Sequence, residues 1–205
     1  EAPKGACREF SMTAEGEELH YTAAADWIVL RKEHIPKAEM FYVSYTRRGD
    51  QQQQSARPLT FVFNGGPGAS SVFLHLGAMG PKRAVFAADG AAAAPPHRLA
   101  DNEETWLRFT DLVFVDPIGT GFSRMIEEPE QAKDEKGGKS GSEYWKLKRD
   151  LESLGECIRT YLSRHHRWES PIYIAGESYG GFRTAKLTRL LQKEYGVGLC
   201  GAVII

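Results

Sequence analysis

Ile172-Tyr173-Ile174-Ala175-Gly176-Glu177-Ser178-Tyr179-Gly180-Gly181 is the stretch on which the fold turns. Its first four residues form a short apolar run, the mark of a strand buried on both faces. A helical pattern follows at once, through Leu187, Leu190 and Leu191, until Gly196 and Gly198 stop it. Ser178 therefore lies on a sharp strand-to-helix bend. Glycines two positions before and after it, Gly176 and Gly180, remove side chains that would strike the adjoining helix and strand.

Residues 59–63 are a second apolar run, ending abruptly in Asn64-Gly65-Gly66-Pro67-Gly68. Residues 112–115 are a third, halted by Asp116-Pro117 and by glycines at 119 and 121. Residues 202–205 read as the opening of a further buried strand. Tyr144, Leu147, Leu151, Leu154, Ile158 and Leu162 keep helical spacing, with Ser142 or a neighbour as the expected cap. Strands alternating with helices predict an α/β fold: a mixed, mostly parallel sheet with helices on both faces.

Upstream, runs at 26–30 and 40–46 predict antiparallel strands within about 20–46, with Pro36 between them. Residues 47–58, with four consecutive glutamines, read as a polar connection, and residues 84–96 as loop or hairpin. The charged, glycine-containing stretch of about 127–142 is expected to be a flexible polar loop. No repeat occurs, and 205 residues predict a single domain. The alternation breaks off inside a strand, so the domain is expected to be partial, its sheet incomplete at the C-terminus with an unpaired edge.

A composition of 41% hydrophobic and 26% charged residues, with formal net charge -1, gives no reason to expect nucleic acid as a partner. No apolar run approaches the roughly 20 residues of a membrane span, and no signal peptide is read at the N-terminus. Cys7, Cys157 and Cys200 are too far apart to form a metal-binding pair and are expected as buried or free thiols. No metal or other cofactor is expected, and nothing in the sequence sets an oligomeric state.

Gly-x-Ser-x-Gly at a strand-to-helix junction is the sequence form of a nucleophile elbow, here spanning residues 176–180. Such a serine needs two N–H donors for the oxyanion of an acyl-transfer intermediate. One comes from the next residue, Tyr179. The other is expected from the glycine-rich loop 64–68, which would otherwise be a simple turn; it lacks the Gly-Lys-Ser/Thr ending of a phosphate loop.

Three motifs occur in order: Asn64-Gly65-Gly66-Pro67-Gly68-Ala69-Ser70-Ser71, Asp116-Pro117-Ile118-Gly119-Thr120-Gly121-Phe122-Ser123 and Gly176 to Gly181. Together they resemble the serine carboxypeptidase family of the α/β-hydrolase fold, from about residue 40 onward. Asn102 and Trp106 also resemble that family's lead-in. The resemblance implies that Ser178 is the nucleophile and that the N–H groups of Gly66 and Tyr179 form the oxyanion hole. It further implies that Asn64, Gly65 and Glu177 bind the terminal carboxylate of a peptide substrate. Family members are secreted, vacuolar or lysosomal and favour acidic pH. A carboxyl beside a carboxylate substrate must be protonated to donate a hydrogen bond, and Glu177 fits that role; its plainer alternative is a partner for a surface arginine.

Three positions depart from the family pattern. Ala78 stands where a second glutamate precedes Gly80-Pro81, Val62 replaces a tryptophan, and Ala69 replaces a cysteine. Ala78 keeps open an esterase, and the shared motifs equally admit an acyltransferase. A non-catalytic binding domain is the remaining alternative, and the intact elbow and oxyanion loop argue against it. In this fold the triad acid and histidine follow the serine, yet no histidine or aspartate occurs after Ser178, and all six histidines precede it. His75 lies close to the oxyanion loop, although its position does not suit a general base. His165 and His166 are expected to be solvated at a helix C-terminus. These 205 residues alone are therefore expected to be inactive.

Overall fold

The computed structural model describes residues 3–91, 93–126 and 142–205. Most of the polar stretch at 127–142 lies outside the described residues. The strands are β1 (Ala6–Ala14), β2 (Glu17–Lys32), β3 (Ile35–Arg47), β4 (Leu59–Phe63), β5 (Lys82–Ala84), β6 (Leu99–Asp101), β7 (Asp111–Val115), β8 (Arg124–Met125), β9 (Ile172–Gly176) and β10 (Gly201–Ile204). The α-helices are α1 (Gln51–Ala56), α2 (Val72–Leu74), α3 (Leu147–Arg164) and α4 (Tyr179–Leu190). The order across the main sheet is β1-β2-β3-β7-β4-β9-β10, with β8 alongside β3. β1, β2, β3 and β7 run antiparallel to their neighbours in turn, whereas β7, β4, β9 and β10 are parallel.

This order locates the site. From β4 the chain moves outward to β7 on one side, then returns to place β9 on the other. The loops leaving the C-terminal ends of β4 and β9 therefore diverge to opposite sides, at the topological switch point where open α/β sheets bind ligands. Asn64 to Gly68 and Ser178 leave the sheet there.

Alternation along the central strands splits the core in two. Leu59, Phe61, Phe63, Val113, Val115, Ile172 and Ile174 face the long helices, packing with Leu154, Ile158 and Leu162 of α3 and Leu187 of α4. Val62, Leu112, Phe114 and Ala175 face the other way, onto Leu74, Met79 and Leu107. The second face is thus covered by short helical turns rather than by long helices.

Several local elements differ from the pattern expected of the sequence. Pro36 does not lie between strands; it pairs with Arg31 near the start of β3, just past a register shift in β2, where a missing N–H is tolerated. The glutamine run is helical because the Asp50 carboxylate accepts the Gln53 N–H at 2.7 Å. Helix α3 begins after Lys146, with no side-chain cap, rather than at Ser142. Flanking the stretch at 84–96, β5 and β6 pair antiparallel as a separate two-stranded sheet. Cys157 is buried, Cys7 and Cys200 are exposed, and all three are free thiols.

At the edge opposite the site, Asp111 is fully buried between two arginines. Arg57 Nε donates to Oδ1 at 2.8 Å and Arg167 Nη1 to Oδ2 at 2.7 Å. The Arg47 N–H also donates to Oδ1 at 3.0 Å, so β3, β7 and the connections before β4 and β9 meet on one carboxylate. Removing it strands a buried cation. Asp111→Ala is expected to destabilise the protein by about 3–5 kcal/mol in urea unfolding; a loss below about 1 kcal/mol would show that the arginines rehydrate freely.

Candidate active site

Ser178 sits between β9 and α4 with φ 56° and ψ -120°. A side chain is costly in that region, by about 1–3 kcal/mol, and persists only where the surroundings dictate it. Here they do. The Glu177 N–H donates to Phe63 O at 3.1 Å, the Ser178 N–H to Ile205 O at 2.8 Å and the Gly180 N–H to Glu177 O at 2.8 Å. A Cβ on Gly180 would lie 2.3 Å from Phe63 O, and one on Gly176 would lie 2.1 Å from Gly180 O. Strand β4, the bend and helix α4 are in backbone contact, and both glycines are there because no side chain fits. The bend turns Ser178 outward, where it is exposed.

The loop after β4 is seated on this bend. A Cβ on Gly65 would lie 2.7 Å from Tyr179 N and 2.9 Å from Ser178 Cβ. Gly66 follows with φ 106°, joined to Pro67 by a cis peptide bond. Asn64, 2% exposed, is held at both ends of its amide. Its Oδ1 accepts the Leu74 N–H at 2.9 Å, and its Nδ2 donates to Glu177 Oε2 at 3.2 Å. Glu177 thus turns towards Asn64 rather than towards a surface arginine. Tyr179 is the first residue of α4, so helix geometry leaves its N–H without an intrahelical acceptor. The structure therefore brings Asn64, Gly65, Glu177, Ser178 and Tyr179 together, with Gly66 next to Gly65 in the chain.

The second motif braces the same loop. The buried Asp116 carboxylate accepts the Ser71 N–H at 2.9 Å and the Phe122 N–H at 3.4 Å. Ser71 Oγ in turn bonds the carbonyl oxygens of Val62 and Val115, at the ends of β4 and β7. Burial pushes the Asp116 carboxyl up, against the downward pull of those two N–H groups. Asp116 and Ser71 are fixed parts of the scaffold, a role that their position within a motif did not disclose.

Of the family departures, Val62 lies in the second core cluster, away from the elbow surface. Ala78 is exposed, and its carbonyl accepts from Asn102 Nδ2 at 2.7 Å. Asn102 also donates to Gly80 O at 2.8 Å, so it shapes the turn on which Ala78 sits.

The two histidines of interest are engaged elsewhere. His75 Nε2 and the Tyr45 hydroxyl are hydrogen-bonded at 2.6 Å, and the ring stacks on Phe114 with centroids 4.6 Å apart. Burial lowers its pKa to about 4. His165 caps α3, as expected, but its Nε2 also bonds the Tyr42 hydroxyl at 3.0 Å. The sequence showed neither tyrosine partner. Among the described residues no helix is long and apolar enough to cross a membrane.

The sequence model described as serine carboxypeptidase matches residues 17–197. The retinoid-inducible serine carboxypeptidase of Homo sapiens is 30% identical over 184 residues, 88% of this chain and 33% of that protein. The pheromone-processing carboxypeptidase KEX1 of Saccharomyces cerevisiae is 35% identical over 149 residues, 70% of this chain and 18% of that protein. The chain thus spans about a third or less of these curated relatives. Among solved structures, vibralactone cyclase aligns at TM-score 0.43 and 11% identity, covering 99% of this chain and 43% of that one. A peroxisomal α/β-hydrolase from Saccharomyces cerevisiae aligns at 0.40 and 14% identity, covering 98% and 44%.

Two outcomes follow from the site's physics. Ser178→Gly relieves a conformation that glycine adopts freely, so the melting temperature is expected to rise by the equivalent of about 1 kcal/mol or more; a fall would mean that the bend is unstrained. His75 is neutral in the fold, whereas the unfolded chain takes up its proton near pH 6.5. The stability that His75 contributes is therefore complete above about 6.5, declines as pH falls towards about 4 and is flat below. Proton NMR of the ring checks this, and a His75 titration midpoint above pH 6 would contradict it.

Proposed function

The chain belongs to the serine carboxypeptidase family, and we propose that its full-length protein is a serine-type carboxypeptidase acting through Ser178. The observation that carries this reading is the seating of Gly65 against Ser178 and Tyr179, with no room for a side chain between them. That contact places a glycine-rich loop beside an outward-turned serine at a helix N-terminus.

In the proposed reaction Ser178 Oγ attacks the carbonyl of the last peptide bond, and its proton passes to an imidazole outside these 205 residues. The carbonyl oxygen becomes an oxyanion held by the N–H groups of Gly66 and Tyr179. Collapse breaks the C–N bond, and the departing amine takes the proton from the imidazolium. Water then cleaves the Ser178 ester, returning the serine hydroxyl and a shortened peptide acid. Asn64, Gly65 and Glu177 hold the terminal carboxylate, a contact in which a carboxyl can donate to a carboxylate only in its acid form. That chemistry suits an acidic compartment outside the cytosol. Ala78 favours one second reading, an esterase without carboxylate preference, because that exposed turn carries no acid to join Glu177.

The full-length protein is expected to react with a fluorophosphonate and to cleave blocked dipeptides, both lost in Ser178→Ala. Free-acid peptides should be preferred over amidated ones, and that preference should weaken as pH rises. Labelling that persists in Ser178→Ala would overturn the nucleophile. Equal turnover of acid and amide would favour the esterase. The 205-residue chain alone should show no hydrolysis dependent on Ser178.

A further inference from the structure

Arg183 is a cation 3% exposed, on α4 one turn beyond Tyr179. Its Nε and Nη2 donate to the two carboxylate oxygens of Asp150 at 2.8 and 3.2 Å. Asp150, 6% exposed, lies in the first turn of α3. The remaining arm, Nη1, donates to the Asn64 carbonyl oxygen at 3.3 Å. The face of the guanidinium lies over the Tyr179 ring, 4.8 Å from its centroid. One side chain therefore touches helix α3, the loop after β4 and the first residue of α4.

Stability alone does not account for this group. A buried ion pair is often no better than an apolar pair of the same volume for holding two helices together. An apolar pair could not, however, donate to the Asn64 carbonyl. The Asn64–Gly65 peptide is trans, so its C=O and N–H point in opposite directions. With the oxygen drawn to Arg183, the Gly65 N–H is turned away from the arginine. The cation–π contact restrains Tyr179, whose own N–H faces out of the helix. The planar fork of arginine reaches all of these partners at once, which the point charge of lysine cannot do.

We propose that Arg183, fixed by Asp150, is a positioning residue for the acyl-transfer site: it sets the Asn64–Gly65 peptide and Tyr179 without touching the reacting atoms. The proposal rests on the reading of Ser178 as the nucleophile. Its test therefore uses two kinds of readout on the full-length protein, of which only one requires activity.

The double variant Arg183→Met/Asp150→Leu removes both charges and leaves neither stranded. It is expected to fold, with kcat and the rate of fluorophosphonate labelling both reduced about 10- to 100-fold. Amide exchange at Gly65, Gly66 and Tyr179 should accelerate, while β4 and β9 keep their protection. Arg183→Lys keeps the charge opposite Asp150 but loses the arm to Asn64. It should show the same loop exchange and a smaller loss of kcat, and it serves as the test if the double variant does not fold. Wild-type kcat and wild-type loop exchange in either folded variant would overturn the proposal and leave the pair purely structural. Wild-type protein that does not react with fluorophosphonate would instead refute the nucleophile, and the exchange readout would still judge Arg183.

Discussion

Direct backbone contact between the loop after β4 and the bend after β9 sets the geometry around Ser178. Phe63 O meets the Glu177 N–H, and Gly65 leaves no space for a Cβ against Tyr179 N. Two strands must be adjacent and parallel for this to happen, and β4 and β9 pair in register from Leu59 with Ile172 to Phe63 with Gly176. That register carries Asn64 beside Glu177. The exposed serine, the positive φ at Ser178 and the open N–H at the start of α4 all follow from the same close approach.

The buried charged groups of the fold do different jobs. Asp111 ties β7 to β3 and, through Arg57 and Arg167, to the connections before β4 and β9, at the edge remote from the site. Asp116 holds the Ser71 N–H and so fixes the chain between the loop and α2. Arg183 lies between α3 and the Asn64 carbonyl. Each places backbone rather than simply adding attraction, which is the use that offsets the desolvation cost of a buried charge.

Much of this was legible in the sequence where the signal is local. The apolar runs at β4, β7 and β9 are each followed within two residues by glycine or proline, and the structure ends those strands within a residue of the expected places. The glycines of the elbow were legible for the same reason, since a bend with no side-chain room tolerates little else. β1 was not legible because it lies at the sheet edge with most of its residues exposed, so it carries little alternation. The extent of β2 was hidden by Ala23, Ala24 and Ala25, weak strand formers held there by pairing with both β1 and β3. The engagement of His75 with Tyr45, and of Arg183 with Asp150, links residues far apart in the chain. No spacing announces such pairs, although an arginine one turn past the nucleophile on a packed helix was a cue.

We propose Ser178 and the loop at 64–68 as one acyl-transfer site. A crystal structure of the full-length protein after fluorophosphonate treatment tests it most directly. A phosphonyl group is expected on Ser178 Oγ, with its free oxygen about 2.7–3.1 Å from both Gly66 N and Tyr179 N. An adduct on Ser178 whose oxygen points to solvent, or an adduct on another residue, would contradict it.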